Sequence, residues 1–237
     1  MQVIFLILSG ADNKICVDNL DIYKELTKLS CLYYEKMKQK YDFKYFFYEY
    51  NNDITEDIIE QDNFLYIKGI EEFHKIYEKT IKAIDYINKK YNYDYLIRTN
   101  ISSFWNIDNM FTLSNQLPKM GCLSGFYIFD SFISGTGIIM SKDVCNILIR
   151  EQIEYNKPDD IMISENLKKH FKISPLQNDK IYFLINNEIN IPDNTDDILY
   201  FRIKNNDRTI DIQLFKLLLK RIYDITPFAQ LHIEDAQ

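Results

Sequence analysis

The chain has 237 residues, 46% of them hydrophobic, and a net charge of −7 at neutral pH, with a pI near 5.1. That is enough chain for one sizeable core. The acidic balance argues against a nucleic-acid partner, which calls for a basic face, and no stretch reaches the roughly eighteen apolar residues of a membrane span.

Four cysteines, Cys16, Cys31, Cys122 and Cys145, lie in apolar or helical surroundings with no Cys-x-x-Cys pair. They read as small buried hydrophobes of a reducing compartment, not as a disulfide framework or a zinc site. The opening run Val3–Leu8 is apolar and β-branched, with no basic residues ahead of it. It reads as a buried first strand instead of a secretion signal, and a cytoplasmic location is the expectation.

The elements then alternate. Leu20, Tyr23, Leu26, Leu29, Leu32 and Tyr33 share one face of a helix over 20–40. Strands are predicted at 44–49 and at Phe64–Lys68, the latter stopped by Gly69, and a long helix at 72–90. A fourth strand over 93–98 ends in Thr99-Asn100-Ile101-Ser102-Ser103. This rhythm implies a mainly parallel sheet flanked by helices.

Beyond Asn100 the rhythm breaks. Strands are expected at 125–129 and 137–140, a helix at 142–154 with Ser141 as its N-cap, and a helix from Asp159 to about His170. Further strands are expected at Ile181–Leu184 and 199–203, and a closing helix at 211–222. Ligands of open α/β sheets collect beyond the carboxyl ends of the strands. The small polar loops Ser9-Gly10-Ala11-Asp12-Asn13 and Thr99 to Ser103 are therefore the places to look.

Four motifs in order carry a resemblance. They are Lys79-Thr80 on a helix, Asp94-Tyr95-Leu96-Ile97-Arg98-Thr99-Asn100-Ile101-Ser102 on a strand, Ser134-Gly135-Thr136-Gly137-Ile138-Ile139-Met140-Ser141, and Asp159-Asp160-Ile161. Over somewhat under half of the chain this series resembles the fringe and β1,3-galactosyltransferase group of GT-A glycosyltransferases. The resemblance implies a GT-A-like, Rossmann-like single domain over 1–230 with a tail at 231–237. It implies transfer of a sugar from a nucleotide-diphosphate sugar, a UDP-sugar by preference, to a hydroxyl on a glycan, protein or small-molecule acceptor, with inversion.

It also implies roles. Ser9, Gly10 and Asn13 border the nucleotide, and Asn100 and Ser102 approach ribose and diphosphate. Lys79, Arg98, Arg202, Lys204 and Arg208 supply charge. Asp160, with Asp159 beside it, takes the acceptor proton. Gly135, Thr136 and Gly137 let backbone approach the acceptor. Trp105, the single tryptophan, is either a stacking platform for that acceptor or a buried aromatic anchor. Arg98 either faces the diphosphate or pairs with Asp94 or Asp85, and the cations from Arg202 to Arg208 either hold diphosphate or pair with Asp207 and Asp211.

The departure from the family falls at the metal. Its acidic triplet aligns with Asn100, Ile101 and Ser102, which bring no negative charge. For the Mg or Mn ion that the resemblance implies, three readings stand open. Cationic side chains replace it, carboxylates such as Asp108 or Asp130 recruit it, or the chain is a non-catalytic relative that binds without turnover.

Overall fold

A computed structural model describes residues 1–10, 20–153 and 157–227. Asn13, Cys16 and the tail at 231–237 lie outside the described residues. Strand β1 (Val3–Leu8) is the centre of the fold: Val3, Phe5 and Leu6 are fully buried, as expected of a strand covered on both faces. It pairs in parallel with β2 (Phe43–Asn51) and with β5 (Tyr95–Asn100). Outside β2 lie β4 (Phe64–Lys68), parallel to it, and the edge strand β3 (Ile58–Gln61), which forms a hairpin with β4.

On the other side the sheet continues through β8 (Phe132–Ser141), antiparallel to β5, then β7 (Leu123–Ile128) and the two-residue β9 (Ser174–Pro175). The order is β3-β4-β2-β1-β5-β8-β7-β9. One face is covered by α2 (Ile76–Lys90), α4 (Lys142–Leu148) and α5 (Asp159–Leu167). The other is covered by α1 (Leu20–Lys38), α3 (Ile107–Ser114), α6 (Arg208–Tyr223) and a second small sheet. That sheet has the order β10 (Ile181–Leu184), β11 (Tyr200–Ile203), β6 (Ser103–Trp105). The whole is one mixed α/β domain with a large central sheet, parallel at its heart and flanked by helices.

Three features position the site. Strands β1 and β5 end side by side, with Leu8 opposite Asn100. Thr99 pairs with Gly137, so the first residues of β8 run on past the end of β5. Two residues after β5, the chain enters β6, where Ser103 pairs with Arg202 of β11. The small sheet thus brings its cations to the carboxyl end of the large one.

Several boundaries differ from the sequence expectation. The helix expected over 142–154 ends at Leu148, because Arg150 and Glu151 bond back three residues, to Ile147 and Leu148, and tighten the last turn. The closing helix begins at Arg208, since the Asp207 side chain accepts from the Thr209 amide and caps it. Strands β3, β6 and β9 and helix α3 had no sequence expectation.

Candidate functional site

At the carboxyl end of β5 the side chains form one connected polar network. Arg98 is almost wholly buried, with Nη2 2.5 Å from Asp159 Oδ2 and Nη1 donating to the Gly135 carbonyl at 2.5 Å. Burial works against the Arg98 charge, but Asp159, Tyr48 and Asp160 together outweigh it and hold the guanidinium above its ordinary pKa. Asp159, also buried, is raised by burial despite that arginine. The pair is therefore a tie between β5 and the start of α5. Asp94 and Asp85 are not its partners: Asp94 accepts from the Gln2 amide and Asp85 pairs with Lys89.

Asp160 lies one residue on and is half-buried. Its Oδ2 accepts from the Gly135 amide at 2.9 Å and its Oδ1 from the Ile161 amide at 2.9 Å. Gly135 is needed here because a Cβ would collide with the Arg98 guanidinium and come within 3.3 Å of Asp160. The carboxylate of Asp160 is thus held against the overhanging start of β8, beside the end of β5.

Asn100 is the hub. Its Nδ2 donates to the Gly135 carbonyl at 3.1 Å. Its Oδ1 accepts from the Ser102 amide at 3.1 Å, from Ser103 Oγ at 3.3 Å and from Arg202 Nη1 at 2.5 Å. The Ser102 hydroxyl in turn accepts from Arg208 Nη2 at 2.9 Å, while Arg208 Nη1 lies 2.5 Å from Asp211 Oδ2. Asp211 is fixed by Asn205, whose backbone and side-chain amides both donate to it. Lys204 is exposed next to this group.

The cations outnumber their counter-charges. Burial and then Arg208 push Arg202 down to about 10, and the partial burial of Lys204, with Arg202 and Arg208 beside it, lowers the lysine. Among the described residues neither forms an ion pair with a carboxylate, and Asp207 is engaged in capping α6.

The structure brings Ser9, Gly10, Arg98, Asn100, Ser102, Gly135, Asp159, Asp160, Arg202, Lys204 and Arg208 to one end of the sheet. Other expected site residues it does not place at a surface. Lys79 is fully buried, paired with Glu71 and set over the rings of Tyr48 and Tyr50, and burial lowers its pKa. Trp105 is also fully buried. It packs on Tyr200 with ring centroids 4.6 Å apart and donates Nε1–H to Thr99 Oγ1, so it is an anchor and no acceptor platform.

Gly137 is small for the same reason: a Cβ there would lie 2.6 Å from the Trp105 ring and 3.2 Å from Tyr200. Thr136 turns its hydroxyl to Tyr200 at 2.8 Å and is buried. Tyr200, which organises this layer, had no sequence signal beyond a strand-forming composition.

The metal reading through carboxylates elsewhere has no support in the geometry. Asp108 pairs with Lys40 and Tyr41 just before β2, at the opposite end of the parallel strands. Asp130 sits in the β7–β8 turn with φ of 52°. Among the described residues no group of three His, Cys, Asp or Glu side chains could hold a metal ion. No described helix is long and apolar enough to cross a membrane. Cys122 and Cys145 are buried free thiols, as expected, and Cys31 is half-buried.

No protein-family model matches the chain, and no curated protein matches it in sequence. Among solved structures, the chain is similar to a glycosyltransferase involved in the glycosylation of the major capsid of PBCV-1. The TM-score is 0.55 at 12% identity, over 92% of this chain and 100% of that one. At this identity the likeness is one of fold, and it agrees with the GT-A-like architecture that the four motifs in order implied.

Proposed function

We propose that the chain is a glycosyltransferase that moves a sugar from a nucleotide-diphosphate donor, UDP-linked by preference, to an acceptor hydroxyl. The observation that carries this reading is the pairing, at the carboxyl end of β5, of a surplus of cations with one held carboxylate. Glycosyl transfer needs both: a stabilised diphosphate leaving group and a base for the attacking hydroxyl.

In this reading Asp160 takes the acceptor hydroxyl's proton as the acceptor oxygen bonds to the anomeric carbon. The bond from that carbon to the diphosphate oxygen breaks, and the nucleoside diphosphate departs with the electron pair. Attack opposite the leaving group inverts the anomeric centre. Gly135 and Ile161 amides orient Asp160, while Arg98 and Asp159 fix the start of α5 that carries it.

A second reading has its own observation. Both carboxylate oxygens of Asp160 already accept backbone amides, which is also how a purely structural aspartate behaves in a donor-binding relative without turnover. Asp160→Asn separates the two. A transferase loses at least about 100-fold in turnover, the usual size of a general-base contribution, and keeps its affinity for the nucleotide. A wild type that binds a nucleotide sugar yet transfers to no acceptor and hydrolyses nothing supports the binder.

A further inference from the structure

The two oxygens that stand where the fold's metal-binding motif would be are both covered by guanidinium groups. Asn100 Oδ1 accepts from Arg202 and two further donors, and the Ser102 hydroxyl accepts from Arg208. Ile101, between them, is buried and has no side-chain oxygen. A divalent cation takes charged oxygen ligands. Here it would meet neutral oxygens already occupied by positive charge, so the residues present do not fit a metal.

Arg202 is the unusual member. A half-buried guanidinium commonly has a carboxylate beside it. Its closest acceptor is an uncharged amide, and its neighbours Arg208 and Lys204 are cations. Asp211 is committed to Arg208 and Asn205. An arrangement of three cations around one engaged carboxylate is relieved by an anion of two or more charges. Arginine forks match phosphate oxygens in geometry as well as charge.

We propose that Arg202, with Arg208 and Lys204, forms a metal-free anion site for the diphosphate of the donor. The inference rests on the donor reading above but is separable from it. Arg202 and Lys204 hold the diphosphate in the ground state and carry the charge that accumulates on it as the glycosidic bond breaks. Arg208 holds Ser102 and, through it, the loop on which the diphosphate rests.

Calorimetric titration of the intact chain with inorganic pyrophosphate, UDP, GDP and CDP, each in EDTA and in Mn²⁺, tests this. The expected result is binding of pyrophosphate and of one nucleotide that survives EDTA. Removing a charged hydrogen-bond partner by Arg202→Gln then weakens both by roughly 10-fold or more, and Arg202→Lys restores part of the loss. Lys204→Gln, at an exposed position, weakens binding in the same direction. Asn100→Asp weakens it too, because the new carboxylate captures Arg202.

Nucleotide binding that disappears in EDTA and returns with Mn²⁺ would overturn the metal-free site and leave the donor reading standing. Arg202-dependent pyrophosphate binding without any nucleotide binding would do the reverse. Absence of all binding, or binding indifferent to Arg202 and Lys204 variants that circular dichroism shows to be folded, sinks the site.

Discussion

Arg98 and Asp159 show how little a residue type says about its use until its neighbours are known. Each is an expected site residue, and each is spent on the other: a buried ion pair that locks α5 to β5. Breaking such a pair from one side leaves a stranded charge, at about 3–5 kcal/mol, whereas replacing both partners by apolar groups is often neutral. Arg98→Met is therefore expected to lower the unfolding free energy by an amount in that range. Arg98→Met with Asp159→Leu should recover most of it, as read from urea midpoints. If the single and double variants are equally destabilised, the pair is not what joins the two elements. Lys79 and Trp105 teach the same lesson. A lysine on an amphipathic helix and a tryptophan after a polar loop have the right chemistry for a sugar nucleotide, but both face the core, and a linear motif does not encode that direction.

At the scale of elements, helices and strands with strong periodicity were legible. Val3–Leu8, Phe64–Lys68 and Ile181–Leu184 have the bounds that their apolar runs imply. What escaped was short or set by distant partners. The Ile58–Gln61 strand is half polar and exists because β4 offers it an edge. The three residues of β6 are a strand because β11 pairs with them across nearly a hundred positions of sequence. Two of the cysteines were readable because burial follows from an apolar setting, while Cys31 is half-buried. Cys122 on β7's approach and Cys145 in α4 are both buried, and burial pushes both thiols up to about 12. At pH 8 that leaves a thiolate fraction on the order of one in ten thousand, and the thiolate is the reactive form. Both should resist alkylation in the native protein and react at ordinary rates in denaturant, followed by peptide mass. Fast native labelling of Cys145 would mean that α4 opens from the sheet far more readily than its packing implies.

The molecule as a whole is built so that two sheets meet at one tryptophan. Trp105 belongs to the small sheet, donates to Thr99 of the large one and lies against Phe5 of β1, with ring centroids 5.6 Å apart. Its carbonyl accepts from the Tyr223 hydroxyl at the end of α6, and that same hydroxyl accepts from the Ile107 amide at the start of α3. The sequence announced one domain through its length and the lack of a linker, but not this junction, because the break in the alternation after Asn100 hides a chain that leaves one sheet for another. The candidate site inherits its shape from that crossing: the cations come from β11, the residue after it and the start of α6, and the carboxylate from the start of α5, held against β8 of the large sheet. Neither half is useful if the sheets move independently. As the only tryptophan, Trp105 reports on the crossing directly. Its emission should be blue-shifted in the native state. In urea it should move to the red with the same midpoint as the far-ultraviolet circular dichroism of the whole chain, as expected of a single cooperative unit. A fluorescence midpoint well below the circular-dichroism midpoint would show that the small sheet with α6 detaches first. The cationic half of the site would then be a separately unfolding unit and not part of one rigid scaffold.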